Sequence, residues 1–347
     1  MKFITGLLVL LSLLVFGSVF ISPEVFPYVG LLPFLVPVVL VANIFLFFML
    51  ALAWRKLAFF PLVCLALGYK FFLISFQFHP KNENAVGLKV LSFNAHLFNY
   101  KNPPSGVEDP TVFSWVNEHP ADIKVIQEFY QDYTIENKNA LKFLSKEGEF
   151  DYTYHPLRGE PKKRSYGMAI FSKYPIINDG VVFDGKNSNG AIFADIKVGK
   201  DTLRVYNVHL ASMSIEAEAF ENYDSAKLVY KQTLGKLQLG SLQRAQQMNI
   251  LLEHLGNSPY EVVLMGDLNE LPYSNAYFRL SESLQNAFEL AGRGFGFTFN
   301  RILFFLRIDH IFATRALKPI QFKTHAEVDY SDHYPISATF TWDGFEP

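Results

Sequence analysis

Polar residues able to do chemistry recur in this sequence directly after short apolar runs. The clearest case is Glu261 to Glu270, EVVLMGDLNE. Val262 to Met265 suits a strand buried on both faces. Gly266 marks a turn or a close backbone approach. Asp267 and Asn269 follow, two residues apart. On a chain that stays extended, both side chains point the same way. A carboxylate and a carboxamide at the mouth of a buried strand are poor core residues and good catalytic ones. The competing reading is a strand closed by an Asx turn.

Further sites share this arrangement. Asn94 ends GLKVLSFN, and Glu128 follows the run Ile123–Ile126 in ADIKVIQEFY. His209 ends VYNVHLAS, on the same face as Asn207. Asp309 lies between Ile308 and His310 in RIDHIF, and Asp332-His333 stand in YSDHYPISAT. Singly, most have ordinary readings: a turn Asn, a solvent-facing Glu, a hydrogen-bonded structural His, an Asp-His turn. Asp309 differs, because a carboxylate in an apolar strand needs a partner, and a histidine is the obvious one.

The elements that must position these groups alternate between strands and helices. Strands are expected over 87–94, 123–126, 167–171, 190–198, 202–210, 262–265 and 336–340. The loop Asn99 to Asp109 leads into a helix near Pro110 to Glu118. Ser172 to Pro175 and Gly199-Lys200-Asp201 read as turns. Ser214 to Leu255 reads as two helices broken near Gly235–Gly240, with a Leu, Met and Ile face over a sheet. Arg244 on it reads as half of a packing ion pair rather than an anion ligand. Ser274 to Ala291 reads as loop and helix, and Gly292 to Phe299 as a glycine and aromatic loop.

The 347 residues are 50% hydrophobic, with mean hydropathy +0.13, and the apolar excess sits in about the first 79. Only Lys2, Glu24, Arg55, Lys56 and Lys70 are charged there, so the chain divides at 79/80 into a membrane part (1–79) and a soluble part (80–347). Residues 3–21, 29–53 and 57–78 are expected to be transmembrane helices. A signal peptide fits poorly, because Ser22-Pro23-Glu24 is followed at once by more apolar sequence. Lys2 and Arg55-Lys56 place those ends in the cytoplasm, which puts the soluble part outside an inner membrane, in the periplasm or at the cell surface. The soluble part keeps 27 basic and 32 acidic residues, net −5, so charge gives no support to tight non-specific duplex binding. The single Cys64 excludes an intramolecular disulfide and a cysteine-rich metal site.

Taken together, SFNAH, IQEFY, YGMAIFSKYP, NVHLAS, GDLNE, TFNRILFFLRIDHIF and SDHYPI, in this order across nearly all of 87–340, resemble the endonuclease/exonuclease/phosphatase superfamily. That group includes deoxyribonuclease, apurinic-site endonucleases, neutral sphingomyelinases and inositol-phosphate phosphatases. The resemblance implies an α+β fold, a four-layer αββα sandwich with its site at one edge, here preceded by three transmembrane helices. It implies that Asn94 and Glu128 bind a metal, with Asp332 a further acid nearby; such hard oxygen donors suit Mg²⁺ or Mn²⁺. His333 then corresponds to the catalytic histidine and Asp309 to the acid that orients it. Asp267 corresponds to the residue that positions or deprotonates water, Asn269 to a donor to phosphoryl oxygens, and His209 to a second histidine on the phosphate. The implied reaction is in-line attack of water on phosphorus. His96 departs from the pattern, standing where some family nucleases have an acid that helps hold the metal, and so puts a second metal in doubt.

The substrate is read less far. Membrane anchoring favours a lipid phosphodiester or phosphomonoester. The 295–306 segment reads equally as a loop at the bilayer surface and as sandwich core. The alternatives are an extracytoplasmic nuclease acting on DNA or RNA, for which Lys162-Lys163-Arg164 offers a local basic cluster, and a catalytically silent membrane-anchored binding module. No obligate protein partner is evident.

Overall fold

The computed structural model describes residues 1–99, 111–185, 188–212, 226–301 and 304–345, with backbone alone at 99, 111, 112, 137, 147 and 226–233. The expected loop after residue 99 and the start of the 214–255 helix lie outside the described residues, as do 302 and 303. Chain contacts divide the protein into two compact units. The first contains Met1–Gln77, Met213–Gln246 and Glu270–Glu282; the second contains Phe78–Ser212, Gln247–Asn269 and Ser283–Pro347.

In the first unit, α1 (Lys2–Gly17) ends in a 3-10 turn, Ser18–Phe20. A 3-10 segment, Pro27–Leu35, runs into α2 (Val36–Leu52). Lys2–Phe20 and Pro27–Leu52 are long and apolar enough to cross a membrane. Where the third span was expected lie α3 (Phe59–Leu67) and α4 (Tyr69–Ser75), bent by 55°, which make a third apolar span if the pair is taken as one. The bend falls at Gly68, whose absent side chain lets neighbours in. A Cβ there would lie 2.8 Å from Phe16 Cζ and 3.0 Å from Leu40 Cδ2. Polar contacts also join the helices, with Asn43 Nδ2 donating to Ser12 Oγ at 2.8 Å.

The second unit carries two six-stranded sheets. Two-residue strands β1 (Gln77–Phe78) and β11 (Arg293–Gly294) lie outside them. One sheet contains β2 (Leu88–Asn94), β3 (Ile123–Asp132), β4 (Asp151–Gly159), β5 (Arg164–Ser172), β13 (Lys318–Thr324) and β14 (Ile336–Thr341), in the order β13-β14-β2-β3-β5-β4. The other contains β6 (Ile176–Asp184), β7 (Gly190–Val198), β8 (Asp201–His209), β9 (Glu261–Asp267), β10 (Gln285–Asn286) and β12 (Asp309–Ala313), in the order β10-β12-β9-β8-β7-β6.

Period-two alternation decides which side chains meet between the sheets. Val90, Val125, Ile170, Val205, Met265, Ile311 and Ala338 fill that interlayer. The opposite face of β2, Leu91 and Phe93, packs under α5 (Thr111–Glu118) and α6 (Ala140–Leu144). Outside the other sheet lies the end of α7 (Ala226–Gly256), where Tyr206 Oη meets His254 Nδ1 at 2.8 Å. The layering is therefore the expected sandwich of two sheets with helices outside.

Two differences from the sequence reading have local causes. The helix is unbroken through Gly235 and Gly240; a mid-helix glycine costs only about 1 kcal/mol, less than packing a 31-residue helix returns. Strands β4, β6 and β13, which the sequence reading left unassigned, lie towards sheet edges and have many half-exposed positions, so no continuous apolar run marks them.

Candidate active site

Strand register assembles the site. β8 pairs parallel with β9, placing His209 opposite Asp267, and β12 pairs antiparallel with β9, placing Asp309 opposite Asp267. The three residues form one row across neighbouring strands. Asp267 has the parity of Val263 and Met265, and His209 that of Val205, so both face the other sheet. There, Asn94 ends β2 opposite Gln127 of β3. A register shift between Ile126 and Phe129 frees the chain at Glu128, whose φ is 48°. The two sheets are joined beside the site. Asn207 Nδ2 donates to the Ile126 and Ala169 carbonyls at 3.0 and 2.9 Å, and Gln127 Nε2 donates to Asn207 Oδ1 at 2.6 Å.

Backbone strain collects at the same place. Gly266 has φ +145°, and a Cβ there would lie 1.9 Å from Val208 O. Only glycine lets β9 approach β8 closely enough to form the row. The extended geometry expected for Asp267 to Asn269 does not occur, because Asn269 has φ 48°. An Asx turn brings the pair together instead: Asn269 N and Nδ2 donate to the Asp267 carboxylate at 2.8 and 3.2 Å. Asn269 Nδ2 also donates to Leu210 O at 3.2 Å. Asn269 thus bonds the Asp267 carboxylate from both its backbone and its side chain.

Asp309 finds the histidine it requires. His333 Nδ1 lies 2.9 Å from Asp309 Oδ2, and His333 Nε2 points towards Asp267 Oδ2 at 3.7 Å. Both partners are almost fully buried. Burial lowers the His333 pKa, but the Asp309 and Asp267 carboxylates outweigh it and hold the imidazole at about 10. Burial pushes the Asp309 carboxyl up, against the pull of His333. The two groups act as one titrating pair, with the proton held on the ring by two facing carboxylates. Thr298 Oγ1 receives the Ile308 and Asp309 N–H groups at 3.1 and 3.2 Å, and its hydroxyl bonds to the Asp309 side chain. The His333 backbone N–H donates to Ser331 Oγ at 3.1 Å, and that hydroxyl donates to Asn94 O at 2.7 Å. Thr298 and Ser331 were missed as site residues; Ser331's only signal was its place before Asp332-His333.

His209 faces two carboxylates, with Nε2 3.8 Å from Glu128 Oε1 and 3.6 Å from Asp267 Oδ2. Its Nδ1 is buried with no hydrogen-bond partner among the described residues. The proton therefore belongs on Nε2, aimed into the site. Asn94 Nδ2 sits between Asp267 Oδ2 at 3.0 Å and Glu128 Oε1 at 3.4 Å. Glu128 offers a hard oxygen of the kind that suits Mg²⁺ or Mn²⁺; Asn94 turns its amide nitrogen to the site while its Oδ1 accepts from His96 N at 3.1 Å, so it would offer an oxygen only with its amide reversed. Asp332 Oδ1 lies 3.3 Å from His96 Nδ1. A tighter cluster of Asp267, Asp309 and His333 offers ligand atoms within 4.8 Å of one another. There, however, His333 Nδ1 is already committed to Asp309.

The loop before Asp309 is not sandwich core at its tip. Phe295, Phe304 and Phe305 are 50, 64 and 50% exposed, while Leu306 is buried. Its base walls the site, since Phe299 packs edge-on against His333 at 5.3 Å and Asn300 N donates to Asp332 O at 2.7 Å. Arg244 has the expected ion pair, Nε to Glu270 Oε1 at 2.6 Å.

The family model described as Endonuclease/Exonuclease/phosphatase family matches residues 91–333, and one for a domain of unknown function matches 1–75. No curated protein matches the sequence. Among solved structures, an endonuclease/exonuclease/phosphatase from Beutenbergia cavernae aligns with TM-score 0.54 at 19% identity, over 75% of this chain and 73% of that one. A 3′ phosphatase from Neisseria, bound to a product DNA hairpin, gives 0.51 at 20% identity, over 74% and 100%. The human nocturnin catalytic domain with bound sulfate gives 0.51 at 16%, over 74% and 94%. At these identities the likeness is one of fold.

Proposed function

The chain belongs to the endonuclease/exonuclease/phosphatase family, and from that premise we propose that it is a membrane-anchored phosphoesterase dependent on Mg²⁺ or Mn²⁺. The observation that carries the reading is the row His209, Asp267 and Asp309, with His333 locked on Asp309 and Asn94–Glu128 opposite. Asn94 and Glu128 would hold the cation, which supplies charge neutralisation at the phosphoryl group when bound. Asp267, held by Asn269, orients the attacking water and takes its proton. His333, kept protonated by its carboxylates, and His209, through Nε2–H, donate to the phosphoryl oxygens. Asp309 keeps the His333 ring in one orientation.

A lipid-borne phosphate ester is the favoured substrate class. The exposed phenylalanines Phe295, Phe304 and Phe305, in the segment whose Phe299 packs on His333, and the apolar N-terminal helices support it. Two charges of the basic cluster are engaged, Lys163 with Glu160 at 2.8 Å and Arg164 with Asp132 at 2.9 Å, which weakens the case for nucleic acid. The same constellation nevertheless suits a DNA or RNA end, the second reading. The anchor is proposed to span three times with the catalytic part extracytoplasmic, as the basic residues at Lys2 and Arg55-Lys56 suggest.

The test is hydrolysis by the full-length protein in liposomes, with Mg²⁺ or Mn²⁺, of a vesicle phosphodiester, DNA and RNA. Lipid turnover abolished by EDTA and by His333→Ala is expected. Turnover of none of these substrates would overturn the assignment; cleavage of nucleic acid alone would move it to the second reading.

A further inference from the structure

The proposed reaction leaves His96 without a task, yet the chain holds it on strained backbone. His96, Leu97 and Phe98 have φ of 44, 54 and 54°, three consecutive non-glycine residues in the left-handed region. Such residues are uncommon, and they persist where the surroundings or a function hold them there. Packing accounts for two of the three. Phe98 lies against Phe113 and Phe129, with ring centroids 4.4 and 5.4 Å away, and Leu97 is half-buried. Packing does not account for His96, whose side chain is 46% exposed. A glycine would take this conformation without strain.

The imidazole borders the reaction centre instead. His96 N donates to Asn94 Oδ1 at 3.1 Å, and His96 Nδ1 lies 3.3 Å from Asp332 Oδ1. Asp332 directly precedes His333, and Asn94 Nδ2 reaches Asp267 Oδ2 at 3.0 Å. Two short paths thus tie the ring to the edge of the site. A carboxylate only accepts, so the proton between His96 and Asp332 sits on Nδ1, which leaves Nε2 as the ring's acceptor. Nε2 has no hydrogen bond among the described residues. His209 and His333 are proposed to donate to the phosphoryl oxygens; His96 offers the opposite polarity at the rim. An acceptor there selects a donor on the alcohol part of the ester, and the Asp332 carboxylate behind it repels a second phosphate.

We infer that His96 is a specificity-determining residue of this site. Its Nε2 accepts a hydrogen bond from a hydroxyl near the esterified position, so the substrate is the phosphate ester of a polyol, of which glycerol and ribose units are two sources. The left-handed turn keeps the ring at that place. The inference rests on the phosphoesterase reading.

The test is calorimetric titration of the full-length protein in detergent, with Mg²⁺, by two pairs of product-like phosphates. Glycerol 3-phosphate is compared with propyl phosphate, and uridine 3′-phosphate with its 2′-deoxy counterpart. Wild type should bind the hydroxyl-bearing member of one pair about tenfold tighter, the worth of one hydrogen bond to an unpaired acceptor. A preference in the glycerol pair points to a lipid headgroup, and one in the uridine pair to RNA. His96→Gly should bring that pair to equal affinity with no loss of thermal midpoint, and His96→Gln, which keeps an acceptor, should restore part of the difference. Equal affinities within both pairs for wild type overturn the inference and leave the proposed function standing. A preference that survives in His96→Gly overturns it, as does a clearly lowered midpoint, which would make the ring a support of the fold. Binding of none of the four phosphates overturns it too, and the liposome assay then decides the function on its own.

Discussion

Replacing Asp309 with Asn tests the site most sharply, because it removes one charge and no volume. The carboxylate accepts from His333 Nδ1 at 2.9 Å and from the Thr298 hydroxyl. An amide that turns its nitrogen to His333 sets donor against donor, so the ring must give up its Nδ1 proton and with it the positive charge. The lost charge-assisted bond is worth about 1.5–3 kcal/mol, roughly 10- to 150-fold in rate. Loss of the cationic donor proposed for the phosphoryl oxygens extends the expected kcat loss to about 10⁴-fold. KM should stay within about threefold, since the residue does not reach substrate. The assay is metal-dependent hydrolysis of a soluble phosphodiester by full-length protein in detergent, with circular dichroism to verify folding. A folded Asp309→Asn variant retaining more than about a third of wild-type kcat would refute the dyad.

Other perturbations have equally definite outcomes. Gly266→Ala should cost about 3 kcal/mol or more, read as a lowered thermal midpoint, because its Cβ meets Val208 O and its φ is +145°. Glu128→Gln should raise the Mg²⁺ concentration for half-maximal activity about 10- to 100-fold; an unchanged titration would remove Glu128 from the metal site. Phe304→Asp with Phe305→Asp should cut turnover of vesicle lipid and spare a soluble ester, since both rings are exposed; equal loss on both would deny the loop a lipid role. Stability should fall in acid through His119. Burial, with His325 and Lys124 adding repulsion, pulls its pKa from 6.5 to about 3, and its Nδ1 accepts from Ala121 N at 3.2 Å. A depressed histidine stabilises above its unfolded pKa, and that contribution drains away as pH falls from about 6.5 towards 3. Between pH 7 and 5 the loss is about 2 kcal/mol, seen as a thermal midpoint that His119→Asn makes less pH-dependent.

Much of the site was legible because strand chemistry is local. Asn94, His209, Asp267 and Asp309 each sit in or beside an apolar alternation that reveals a strand, its buried face and its end. A carboxylate amid Ile308 and Ile311 demanded a counter-group, and His333 supplies it. Other features were legible only in part. Gly266 and an Asx turn after Asp267 could be named as alternatives, while the bulge that turns Glu128 had no local signature; all three carry left-handed or strained backbone that neighbouring strands impose. Asp332 could be named as an acid near a metal, but its pairing with His96 depends on how one loop settles beside another. Phe304 and Phe305 read equally as core or surface, since hydrophobicity does not say whether a loop finds a cavity to fill. The same limit hid the bonds of Tyr273 to Ser75 and of Asn275 to Val19, a matter of segments meeting 198 and 256 residues apart. Period and composition determine which faces are apolar and where strands stop; register, strain and the partners of each polar group are decided only when distant segments pack.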